Sequence, residues 1–256
     1  MVIFTQEGLA FLTRGLHVLA GITWIGLLYY FNVVQVPAFA AYGEEGKARN
    51  ISIDKLARRA LWWFRWSSIV TLVLGLFIIG ATKDYMQDFM SGGSEGINVL
   101  PKNAAIFVGM ILGITMAANV WMVIWKNQKV VLANAANVLA GGEADAGAPA
   151  AGRRALLASR QNFIFSFSML WFMVGAAHLY TITESFDSTD AGKAWTFVII
   201  CGVISAILEL NCLGKLGGTA ATNKLLWPYE SHKNAMITGG LLFVVLYILS
   251  EILLNA

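Results

Sequence analysis

Apolar stretches long enough to cross a bilayer recur along this chain of 256 residues, at about 9–36, 61–81, 104–126, 161–183, 194–213 and 235–254. A helix rises about 1.5 Å per residue, so roughly 20 mostly apolar residues span a hydrocarbon core of about 30 Å. In lipid the backbone must satisfy its own hydrogen bonds, and a single apolar segment does so as a helix. The expected fold is therefore all-α: a polytopic transmembrane helix bundle of about six spans, one membrane domain over 1–256. Composition agrees. The chain is 57% hydrophobic and 13% charged, where soluble domains carry about 25% charged residues.

The basic residues are sorted along the chain. Lys47, Arg49, Lys55, Arg58 and Arg59 follow the first span, Lys129, Arg153, Arg154 and Arg160 the third, and Lys215, Lys224 and Lys233 the fifth. The alternate connections carry only Lys83, Lys102 and Lys193. Short loops rich in Lys and Arg stay in the cytoplasm, so both termini are expected outside. Trp62, Trp63 and Trp66 fall where an aromatic belt is expected. The segment 139–152 is rich in Ala and Gly and reads as a flexible cytoplasmic loop. Glu44 to Arg59 reads as a short helix on the membrane surface. A net charge of +3 gives no reason to expect nucleic acid.

Polar residues inside spans are costly and tend to be functional. Gln35, Asn32 and Asn119 are expected to bond between helices. Glu209, Asn211 and Glu251 lie near span ends, where snorkelling to the interface is expected. Gly109, Gly113 and Ala117 repeat every four residues, a spacing that lets helices approach closely. The two cysteines, Cys201 and Cys212, lie eleven residues apart in one apolar stretch. On a helix that separation is about 16 Å, too far for a disulfide. No Cys-x-x-Cys-His occurs, which excludes covalent c-type haem.

Of the three histidines, His17 and His178 fall at matching depth below the outer face, whereas His232 lies on the cytoplasmic side. Moving inward from His17, Gly21 is four residues on and Trp24 seven. Moving inward from His178, Gly175 is three residues back and Trp171 seven. These are same-face spacings on a helix. Two imidazoles with little bulk beside them suit one b-type haem, its iron held by His17 and His178. Arg14, one turn outward of His17, suits a haem propionate. A simple interhelical hydrogen bond is the bland alternative.

Three stretches carry a family resemblance. His17 to Gly26 (HVLAGITWIG), Trp63 to Trp66 (WFRW) and Ser159 to His178 (SRQNFIFSFSMLWFMVGAAH) resemble the membrane domain of the bacterial cytochrome-linked urate oxidases, also called urate hydroxylases. Asn127-Gln128-Lys129 is similar too, and spans five and six match less clearly. The opening motif is also similar to the protoporphyrinogen oxidase and copper-resistance membrane families. The resemblance implies a haem-bearing membrane domain in a bacterial inner (plasma) membrane, its termini periplasmic. Those urate enzymes add a C-terminal cytochrome c domain, which these 256 residues do not include. Ser67 stands where the family carries an acidic residue after its tryptophan motif.

Three functions remain open at this level: an electron-transfer cytochrome b subunit, a urate-oxidising enzyme that uses a separate cytochrome c, and a non-redox structural or assembly subunit of a larger membrane complex. The outer connections carry Asp84, Asp88, Glu95, Glu184, Asp187 and Asp190. Such an acidic rim favours docking of a basic cytochrome c at the outer face, with the mere exclusion of positive charge from outer loops as the equal alternative.

Overall fold

A computed structural model describes residues 2–81, 99–181, 186 and 190–255. Six long helices account for most of them: α1 Gln6–Ala41, α2 Gly46–Gly80, α3 Leu100–Leu139, α4 Ala148–His178, α5 Ala191–Cys212 and α6 His232–Leu254. A short helical turn, Trp227–Glu230, precedes α6. Polar caps set several starts. Thr5 accepts from Gly8 N at α1, Asp190 from Gly192 N and Lys193 N at α5, and Ser231 from Asn234 N at α6. Gly141 (φ +87°) and Gly214 (φ +74°) end α3 and α5 in the left-handed region that side chains avoid.

All but α4 are long and apolar enough to cross a membrane. Their outward side chains are apolar: Ile22 on α1, Phe77 on α2, Ile199 on α5 and Ile252 on α6 are each about 60% exposed. That surface fits lipid, and the chain is a membrane protein. α4 falls short of the apolarity test because it carries Gln161, Asn162, Ser166 and Ser168, and all four are buried. It is the middle helix, packed chiefly on α3 and α6, with α1 and α5 completing its surround. α1 pairs with α2. The all-α bundle is thus observed, with five of the six expected spans long and apolar enough to cross a membrane and the polar residues of α4 buried among the other helices.

Small residues set the α3–α4 contact, as expected from their spacing. A Cβ at Gly109 would lie 3.2 Å from Met173 Cγ and 3.4 Å from its backbone nitrogen. Two of the three expected interhelical amides are found, whereas the buried Gln35 Oε1 has no partner among the described residues. Asn32 donates to Ser159 Oγ (3.0 Å), and Asn119 donates to Asn162 Oδ1 and to Glu209 Oε2 (both 3.0 Å). Glu209 therefore turns into the bundle instead of snorkelling out. Asn211 likewise bonds within the protein, to Leu225 O.

The basic end differs from expectation. Residues 46–59 do not form a separate surface helix; they continue into α2 through a π-helical turn, Ile53–Ala57. α3 runs on to Leu139 and α4 starts at Ala148, which shortens the connection to 140–147. That connection is tied down: Asn137 donates to Glu143 O, and Asp145 N donates to Asn134 Oδ1 (both 2.7 Å). Arg153 and Arg154 lie on α4, bonded to Glu230 (as close as 2.5 Å) and Asn127 (3.1 Å). Asn127 of the Asn-Gln-Lys motif thus ties α3 to α4. Lys83, Asp84, Asp88, Glu95, Glu184 and Asp187 lie outside the described residues.

Candidate functional site

A cavity of about 910 Å³ opens among α1, α2, α3 and α4 at the end of the bundle that holds the N-terminus. Its lining includes His17, Arg14, Gly21 and Trp24 from α1, Thr71 and Gly75 from α2, Lys102 from α3, and His178 from α4. Cofactor-sized ligands occupy pockets of about 300–1,000 Å³.

His17 is half-buried and held by backbone. Its Nδ1 lies 2.8 Å from the Thr71 carbonyl oxygen. A carbonyl only accepts, so Nδ1 carries the proton and donates, and Nε2 keeps its lone pair. A ligating histidine is fixed in this way, one ring nitrogen bonded behind and the other presented to metal. The helix provides the room. Gly75 is one turn beyond Thr71, and a Cβ there would lie 3.2 Å from His17 Cε1. A Cβ there would press on the imidazole where it reaches the Thr71 carbonyl. Thr71 is itself set by its hydroxyl, which donates to Ser67 O (2.7 Å). The Ser67 hydroxyl bonds back to Phe64 O (3.1 Å).

His178 lines the same cavity from the last position of α4, exposed and without a hydrogen-bond partner among the described residues. The structure therefore brings both expected histidines to one cavity. His232 starts α6 at the other end of the bundle and does not line it. Arg14, Gly21 and Trp24 also fall where expected. Trp24 is 3% exposed, and its buried Nε1 has no partner among the described residues.

The mirrored pair on α4 does not face the cavity. Trp171 is about half exposed and packs on Phe243 of α6, ring centroids 4.8 Å apart. Gly175 faces the Tyr180 ring, 3.2 Å from where a Cβ would stand. The reason is rotational. α4 turns Met169, Leu170, Met173, Val174 and Ala177 to the cavity, about a third of a turn from the line through Trp171 and His178 at 100° per residue. His178 reaches the cavity because the helix ends there. The pattern-based reading missed Thr71, Gly75 and Lys102. A glycine four residues after a threonine was the available signal for the first two.

The donor set fits a b-type haem: two imidazoles in one cavity, one of them with its Nε2 left unbonded, two cationic side chains in the lining, and an unpaired indole N–H.

No curated protein and no solved structure matches the chain. One family does, over residues that hold Asn127-Gln128-Lys129, the stretch from Ser159 to His178 and most of α5. α5 is thus matched better than its sequence suggested, while His17 to Gly26 and Trp63 to Trp66 precede the matched region. Residues 97–210 match the family model described as urate oxidase N-terminal, and over that stretch the chain is similar to that family.

Proposed function

We propose that this protein holds one b-type haem between His17 and His178 and passes single electrons through it within the membrane. The observation that carries this reading is the His17–Thr71 bond, which leaves Nε2 as a ligand atom in a cavity that His178 shares. In this reading His17 Nε2 and a His178 ring nitrogen would hold the iron, and Arg14 and Lys102 would neutralise the haem's carboxylates. A haem so ligated supplies one-electron transfer without a bond to substrate. The residues of the chain orient and insulate it. Thr71 fixes the His17 tautomer, and Ile25, Leu72, Ile106 and Met169 keep water from the cavity wall.

A reduced-minus-oxidised absorption spectrum of the purified protein tests the proposal. Low-spin, six-coordinate b-type bands are expected. A preparation that binds no haem when expressed with ample haem supply would leave the third possibility, a non-redox subunit of a larger complex.

The family match favours a second reading, urate oxidation with electrons passed to a separate cytochrome c at the face carrying the termini. Urate that reduces the bound haem, followed by oxidation on adding cytochrome c, supports it. Haem that stays oxidised with urate confines the function to electron transfer from another donor.

A further inference from the structure

A second cavity, about 760 Å³, opens at the opposite, basic end of the bundle. It lies among the end of α1, the start of α2, the end of α3 and the start of α4. It shares no lining residue with the cavity of His17 and His178.

Three π-helical turns border it: Tyr30–Gln35 in α1, Ile53–Ala57 in α2 and Asn119–Ile124 in α3. A π-turn inserts a residue into a helix and is frequent at functional sites. The extra residue breaks the row of side chains that would interlock with a neighbouring helix. Three helices carry that irregularity to the same space.

The wall is mostly aliphatic, with Val36, Leu61, Ile124, Val131 and Leu156 from all four helices. Such a surface packs well on a flexible hydrocarbon chain. The polar groups gather where helices begin and end. Arg49 and Asn50 stand in the first turns of α2 and Asn134 in the last turns of α3, with Gln128 six residues further in. The Arg49 guanidinium makes no ion pair or hydrogen bond among the described residues, and neither do the side chains of Asn50 and Gln128. Asn134 uses its Oδ1, which accepts from Asp145 N (2.7 Å), and keeps its amide N–H groups unbonded. The other charges of the wall are engaged. Arg153 is held by Glu230 and Thr219 O, and Asp145 accepts from Gly147 N (2.7 Å). The cavity thus offers one unpaired cation and three carboxamide donors beside an aliphatic chamber.

We infer that this cavity holds an anionic phospholipid, with one acyl chain among α1, α2, α3 and α4 and the phosphate accepting from Arg49 and the carboxamides. Guanidinium and amide N–H groups donate, and a phosphodiester anion only accepts. Lys and Arg are retained on the membrane face whose lipids are anionic, and basic pockets between spanning helices on that face take lipid head groups. Charge and supply therefore agree. The site does not depend on haem.

The test is native mass spectrometry of the purified full chain, equilibrated in detergent with equal amounts of phosphatidylglycerol and phosphatidylcholine. One retained phosphatidylglycerol per chain, preferred at least fivefold, is expected. Arg49→Gln should lower that preference about fivefold, the equivalent of about 1 kcal/mol for one basic residue at a lipid surface. Gln128→Leu, expected to act in the same direction, serves should Arg49→Gln fail to fold. Oleate is the competing probe, because a fatty-acid carboxylate offers Arg49 the same charge. A preference below fivefold, a preference unchanged in the folded variant, or displacement of the phospholipid by equimolar oleate overturns the assignment. His17→Ala should retain the lipid whatever the fate of its haem, and loss of the lipid there would overturn the independence of the two sites.

Discussion

Gly75 stands where any side chain would strike His17: a Cβ there would lie 3.2 Å from the imidazole Cε1. The glycine is also the residue whose amide lies over the Thr71 carbonyl in an α-helix, the same carbonyl that takes the His17 proton. Glycine inside a helix costs about 1 kcal/mol relative to alanine. Gly75→Ala should therefore leave the melting temperature unchanged or slightly raised, yet perturb the haem spectrum by displacing the imidazole. An unperturbed spectrum in Gly75→Ala would mean that the ring does not rest on α2 when the cofactor is bound.

The histidines give a second, separable prediction. His17→Ala and His178→Ala should each lose haem or convert it to a five-coordinate, high-spin form, while His232→Ala should keep the parent spectrum. The two active variants should differ in degree. His17 is braced by Thr71, whereas His178 is exposed at a helix end with no described partner. Removing the braced ligand should cost more occupancy. Equal and complete retention of haem in both variants sinks the axial assignment.

The α3–α4 seam offers a test of packing alone. Gly109 lets α3 approach the Met173 backbone to within contact, so Gly109→Leu overfills the seam. Overpacking of this kind costs about 1–3 kcal/mol. A melting temperature lowered by several degrees is expected, with a like effect from Gly239→Leu, because a Cβ there would lie 2.8 Å from Phe167 Cδ2. Unchanged melting of both would show that these helices separate easily.

Much of this was legible in the sequence, and the limits were physical. Hydropathy located the helices because lipid demands apolar length, and the depth of His17 and His178 followed from counting residues along them. Helix rotation was not legible. Spacing alone put Trp171 on the face of His178, but packing on Phe243 turned it to α6. The brace on His17 is a main-chain carbonyl, and no side-chain pattern announces a carbonyl. At the basic end, charges were read as loops. Arg153 and Arg154 instead lie on α4, because Glu230 and Asn127 bond them in place.

Topology can be checked without any cofactor. Arg49, Lys55, Arg58, Arg153, Arg154 and Lys215 gather at the end of the bundle opposite His17, and positive charge is retained on the cytoplasmic side. The native cysteines, Cys201 and Cys212, are buried. A single new cysteine at Gly147→Cys should thus be the reactive one, labelled by an impermeant maleimide only after the membrane is opened. Labelling in intact cells would reverse the orientation.

The last prediction concerns the mouth of the haem cavity. Arg14 of α1 and Lys102 of α3 both line it. Their role in the proposed site is electrostatic. A cation beside a propionate disfavours the additional positive charge of ferric iron, so the pair should hold the midpoint potential up. At an effective dielectric of about 20, a unit charge about 15 Å away contributes roughly 1 kcal/mol. That corresponds to tens of millivolts for a one-electron couple, since about 59 mV is a tenfold change in the equilibrium. Arg14→Gln and Lys102→Gln should each lower the midpoint potential, and the double variant should lower it by close to the sum, because the two act from different helices. The axial ligands are untouched, so the low-spin spectrum should persist. Raised ionic strength should shrink both shifts, as screening extends over about 8–10 Å. A potential that does not fall in either variant would place the propionates elsewhere, with the haem edge turned away from α1 and α3.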